Sequence, residues 1–152
     1  MDNNQHEDLI NDAGSIAEEA GEKFDLDFSL ESLRRVDELL GELGDCGDPG
    51  DDFAGQAAYM MGCYVGEVLV RQAGAEWVVD EEKKGVFGSP LFLRVGQIQA
   101  SPMTRCFKRM KSDSDGVEGW GRLLAALASS NLPEAIPEES GNEKVDWPTQ
   151  GF

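Results

Sequence analysis

The stretch FAGQAAYMMGCYVGEVLVRQA, residues 53–73, decides the fold. Its apolar residues occur on nearly every side of a helical period, so it reads as a helix running through the middle of a core. Ala54, Ala58, Gly62 and Gly66 stand four apart along it. Such a column of small side chains lets another element come close to the helix backbone. Gly74 follows as the stop signal. The best bilayer candidate, Phe53 to Val70, is short and is interrupted by Gln56 and Glu67, so no membrane span is expected.

Working outward toward the N-terminus, Leu30, Leu33, Val36, Leu40 and Leu43 form the apolar face of a second helix. Ser29 is a good N-cap, Glu31 suits the first turn, and Gly44 suits the C-cap. The segment Asp45–Asp52 contains Gly47, Pro49 and Gly50 and reads as a turn, with Asp51 or Asp52 capping the central helix. From Asp8 to Phe24 the residues Leu9, Ala13, Ile16 and Ala20, with Ile10 and Ala17 beside them, again show helical spacing. Residues 1–7 are polar and read as a disordered start.

Toward the C-terminus, Trp77-Val78-Val79 and Leu91–Val95 read as two strands of an antiparallel hairpin, joined by the polar loop Asp80–Pro90. Ser101-Pro102 opens a further helix that ends near Ser112. Another runs from Val117 to Ser129, with Val117, Trp120, Leu124 and Leu127 on one face. Residues 131–152, with Pro133, Pro137 and Pro148, read as a Pro-rich acidic tail. The expected architecture is one α+β domain over residues 8–130, mostly helical with about five helices and one small hairpin.

Composition narrows function more by exclusion than by assignment. The chain has 152 residues, 13 Lys+Arg against 30 Asp+Glu, and a formal charge of −17. That length leaves no room for a large two-domain enzyme. That charge opposes general nucleic-acid binding, which needs clustered cations. His6 is the single histidine, and Cys46, Cys63 and Cys106 form no Cys-x-x-Cys pair, so no metal site and no cofactor are expected. No nucleophile elbow, phosphate loop or dinucleotide fingerprint occurs, so no catalytic residue is assigned. The polar, acidic N-terminus lacks the pattern of a secretory signal, which makes the cytoplasm the expected compartment.

Charge is unevenly spread, with 17 acidic and 3 basic residues in positions 1–54. Asp8, Asp12, Glu19 and Glu22, around Ser15, share one stripe of the first helix. Like charges at this spacing each cost a few tenths of a kcal/mol, so a cation from within the chain or from a partner is expected to face them. Arg105, Lys108, Arg109 and Lys111 form a basic patch. Two uses are open to it: holding a phosphate backbone, or lying against the acidic stripe.

Glu67 is the one acid within the apolar stretch 53–73. A buried carboxylate is a functional candidate, whereas an outward one pairs with Arg71 at i+4. Tyr64, Glu67 and Arg71 share a helical face and could together hold a polar ligand; the competing use is core packing.

Three segments carry a resemblance: Asp27-Phe28-Ser29-x-x-Ser32-Leu33; Gly62-x-Tyr64-x-Gly66-Glu67-Val68 with Trp77 after it; and Ser101-Pro102 leading to Phe107-Lys108-Arg109. Over roughly residues 25–127 the chain resembles a group of small single-domain bacterial proteins of unknown function. The resemblance implies a bacterial, cytoplasmic α+β domain and no particular activity.

The function expected from these features is a non-enzymatic interaction protein that binds a basic protein partner through its acidic N-terminal face. An immunity protein neutralising a toxin is its concrete form. The alternatives are an acidic nucleic-acid mimic of the anti-defence kind, and a small-ligand domain or enzyme around Glu67. A plain structural domain whose acidity serves solubility is the remaining possibility.

Overall fold

A computed structural model describes residues 2–45, 50–85 and 88–130. Among these residues the chain forms α1 (Asn3–Lys23), α2 (Ser32–Asp45), α3 (Asp51–Ala73), β1 (Glu76–Val79), β2 (Leu91–Val95), β3 (Ile98–Ala100), α4 (Pro102–Lys111) and α5 (Val117–Ser130). The architecture is a mostly helical α+β domain with α3 at its centre. α3 carries α1 and α4 and also touches α5, β1 and β2, while α2 packs on α4 and α5. Burial of Ala54, Ala58, Met61, Tyr64, Val65, Val68 and Leu69 accounts for the all-round apolar pattern of α3. The Pro-rich tail expected at 131–152 lies outside the described residues.

The sheet corrects the expected hairpin. It has three antiparallel strands in the order β1-β2-β3, with Trp77 opposite Leu93 and Val95 opposite Ile98. β2 and β3 are joined by Gly96-Gln97 alone, and Gly96 adopts φ 62°. A two-residue hairpin needs positive φ at its first turn position, which glycine supplies without steric cost. Ile98 and Ala100 point into the core and Gln99 does not, so the alternation of a strand is present, but over only three residues.

The helix starts also differ from expectation. α1 begins at Asn3, not after a disordered stretch through residue 7. The Asp2 carboxylate accepts from the Gln5 N–H and the Gln5 amide oxygen accepts from the Asp2 N–H, each at 2.9 Å. This reciprocal capping box satisfies helix-end donors without any apolar residue, so polarity alone misread the segment. α2 begins at Ser32, because residues 29–31 form a tighter turn whose carbonyls accept from Ser32, Leu33 and Arg34. Ser29 still makes the capping bond, its hydroxyl accepting from the Ser32 N–H at 3.1 Å. At α3 the N-cap is Gly50, and Asp51 and Asp52 are the first two helical residues instead of side-chain caps. α4 opens as expected, with the Ser101 hydroxyl accepting from the Thr104 N–H and Pro102 at the first position.

α1 ends in a Schellman motif. The Leu26 N–H donates to the Gly21 carbonyl at 2.8 Å and the Asp25 N–H to the Glu22 carbonyl at 3.4 Å. This geometry holds Asp25 at φ 55°, where side chains other than glycine are strained. Asp25→Gly is therefore expected to stabilise the fold by about 0.5–1 kcal/mol. Thermal unfolding checks this, each kcal/mol raising Tm by about 2–4 °C in a domain of this size. Asp25→Ala removes the same charge and is expected to bring no gain, which separates the backbone effect from electrostatics.

Candidate functional site

α1 buries Ala13, Ala17 and Ala20 against α3 and turns its acidic stripe outward. Asp8, Asp12, Glu19 and Glu22 are all exposed. Among the described residues, no cation forms an ion pair with any of the four. The neighbouring Glu18 behaves differently, since Arg71 Nη2 lies 3.3 Å from its carboxylate.

The basic patch does not neutralise this stripe. α4 packs on α3 and α2, and its arginines turn to acids close to it. Arg109 Nε lies 3.3 Å from Asp37 of α2, and Arg109 Nη1 donates to Asp113 at 3.0 Å. Arg105 reaches Asp115 at 3.5 Å and lies over the Trp120 ring, and Lys111 lies over Phe107. The side chains of Arg105 and Arg109 are only 13 % and 15 % exposed, so this part of the patch is committed to the fold.

The row Tyr64, Glu67, Arg71 divides between two tasks. Tyr64 is fully buried, and its Oη accepts from the Phe28 N–H at 2.8 Å and meets the Ser32 hydroxyl at 2.7 Å. Phe28 holds φ 63°, and its carbonyl accepts from the Gln72 amide at 2.9 Å. Its ring sits 4.7 Å from that of Tyr64, and the Arg71 guanidinium stacks over it at 3.7 Å. Tyr64 and Arg71 thus hold the α1–α2 loop in place. Burial pushes the Tyr64 phenol up, partly offset by its bonds to Ser32 and Phe28.

Glu67 is neither a plain surface acid nor fully enclosed, with its side chain 18 % exposed. Its Oε2 accepts from Trp77 Nε1–H at 3.2 Å, and Arg71 Nε stands 3.7 Å from its Oε1. The i+4 pairing with Arg71 is therefore present but long. Trp77 was not legible in the sequence as a partner of this residue. A Cβ at Gly66 would collide with the Trp77 ring, so the small-residue column makes the space into which the indole fits. A cleft of about 430 Å³ lies here between α1, the end of α3 and β1, and Glu67, Glu76 and Trp77 are among its lining residues.

On the other side of α1, Ile16, Glu19, Gln56, Tyr59 and Met60 line a smaller groove of about 310 Å³. Glu19 thus joins the stripe to partly apolar ground. Cys63 and Cys106 are buried free thiols. Burial pushes the Cys63 thiol up to about 12 and the Cys106 thiol up as well, so both stay protonated and unreactive near neutrality.

Among the described residues no helix is long and apolar enough to cross a membrane, and no group of three or more His, Cys, Asp or Glu converges to hold a metal ion. No family model matches the chain, and no curated protein or solved structure is detectably similar to it.

Proposed function

We propose that this chain is a non-enzymatic, cytoplasmic bacterial protein that binds a basic protein partner through the outer face of α1, with inhibition of a toxin as its concrete form. One observation carries this: Asp8, Asp12, Glu19 and Glu22 stand exposed along one helix face with no cation paired to them among the described residues. The arginines that could have compensated them, Arg105 and Arg109, are engaged around α2 and the α4–α5 connection. Uncompensated like charges at i, i+4 spacing disfavour the free helix and favour any complex that supplies cations. Charge complementarity of this kind acts mainly on the association rate.

The test is a low-salt pull-down from host lysate with the wild type beside Asp8→Lys/Asp12→Lys/Glu19→Lys/Glu22→Lys. The captured protein is then purified and its binding rate measured across salt. The expected result is a basic partner whose association is fast and strongly salt-dependent, and slows at least ten-fold in the reversed variant. Equal association rates for the two proteins would remove the α1 face as the interface. A nucleic-acid enzyme as the captured partner, released by competing DNA, would instead identify the chain as a nucleic-acid mimic.

A further inference from the structure

We propose that the cleft between α1, the end of α3 and β1 is a binding site for a small aliphatic primary amine. Ile10, Val70 and Ala75 give it apolar walls, and its volume of about 430 Å³ falls within the range of small-molecule pockets. Gly14 leaves the α1 wall open, since a Cβ built there meets nothing within 4 Å. Glu67 is the partly buried acid of the cleft, and the Trp77 indole fixes it in place by donating to Oε2.

The other oxygen selects the ligand. Glu67 Oε1 forms a long ion pair with Arg71 Nε at 3.7 Å, without a hydrogen bond, while Arg71 donates to Glu18. The lining supplies a second carboxylate, Glu76, and no cation. Arg94 stands 3.8 Å from Glu76, again too far for a hydrogen bond. Glu18, Glu67 and Glu76 outnumber Arg71 and Arg94, so the surroundings stay net negative and disfavour an anionic ligand. A guanidinium binds best with both oxygens of a carboxylate, and one of these is already held by the indole. An ammonium is a compact point charge that needs one oxygen, and an alkyl chain behind it matches the apolar walls. This site lies across α1 from the Glu19 groove, and the inference is independent of the partner proposed for the acidic stripe.

The probe is n-hexylamine, titrated at physiological salt into 15N-labelled protein. The readout is the indole N–H resonance of Trp77, with that of Trp120 as internal control. The expected result is a saturable shift at Trp77 and none at Trp120, with hexan-1-ol giving no saturable shift. Glu67→Gln keeps an oxygen for the indole but loses the charge, and is expected to weaken the amine at least ten-fold. Gly14→Leu, which fills the open wall without touching Glu67, is expected to abolish the shift and serves if Glu67→Gln does not fold. No saturable shift through the millimolar range, equal affinity for the alcohol, or undiminished binding by either folded variant would overturn the site.

Discussion

Gly62→Ala is expected to destabilise the fold by about 1–2 kcal/mol net, an overpacking cost of about 3 kcal/mol set against the roughly 1 kcal/mol by which the same change stabilises an exposed helix. The two effects oppose each other, and packing decides between them. A Cβ on Gly62 would lie 2.6 Å from Met103 Cα and 2.7 Å from Met103 N. These are backbone atoms, so no rotamer change relieves the clash. Met103 follows Pro102 at the start of α4, where the Ser101 cap fixes the chain. Moving it means moving α4, which buries Cys106, Phe107 and Met110. Nor can α4 simply tilt, because a Cβ on Gly44 of α2 would meet the Met110 carbonyl at its other end. α4 is thus held at both ends by close approach to glycines of two different helices. Gly119→Ala in α5 provides the control, since a Cβ there meets nothing within 4 Å and only the propensity gain remains. Urea unfolding of the two variants is expected to move in opposite directions. A Gly62→Ala protein as stable as Gly119→Ala would mean that α3 and α4 do not approach this closely.

The contrast between the two glycines explains what was legible in the sequence. The four-residue column in α3 announced a close approach, because small residues at that spacing have few other uses. Which element arrives was not legible, since α4 meets Gly62 and the Trp77 ring meets Gly66 through pairings distant in sequence. The bounds of α4 and α5 were readable because their signals are local, as with Ser101-Pro102. β3 was missed because three residues carry too little alternation to stand out, and the Gly96 turn alone had to mark it. The start of α1 was missed because a capping box is polar and resembles a disordered end. At the candidate sites, the sequence singled out Glu67 and its i+4 neighbour Arg71, but the indole that holds Glu67, Trp77, lies on another element. It grouped Tyr64 with Glu67, whereas Tyr64 faces Phe28 and Ser32 and serves the α1–α2 loop.

Asp37→Ala carries the second large effect, an expected loss of about 2–4 kcal/mol, and nothing in the sequence marks this residue among its acidic neighbours. Its carboxylate leaves α2 and caps the start of α5. Oδ1 accepts from the Val117 N–H at 2.7 Å and Oδ2 from the Glu118 N–H at 2.9 Å. Arg109 Nε stands 3.3 Å from Oδ1, and both side chains are at least four-fifths buried. One carboxylate therefore ties together α2, α4 and α5. Losing a cap costs about 1–2 kcal/mol, and losing a hydrogen bond to a charged group about 1.5–3 kcal/mol. The sum is not fully realised, because Arg109 keeps Asp113 as a partner. Asp37→Asn keeps one acceptor oxygen for the α5 N–H groups but removes the charge that meets Arg109, and is expected to lose about half as much. Burial shields the pair from salt, so both losses are expected to persist at high ionic strength. That distinguishes Asp37 from the exposed acids of α1, whose neutralisation is expected to affect partner association and to leave unfolding nearly unchanged. Urea unfolding at low and high salt measures both quantities. If Asp37→Asn is as damaging as Asp37→Ala, the Arg109 pairing and not the cap dominates. If neither variant loses stability, α5 does not depend on this carboxylate for its position.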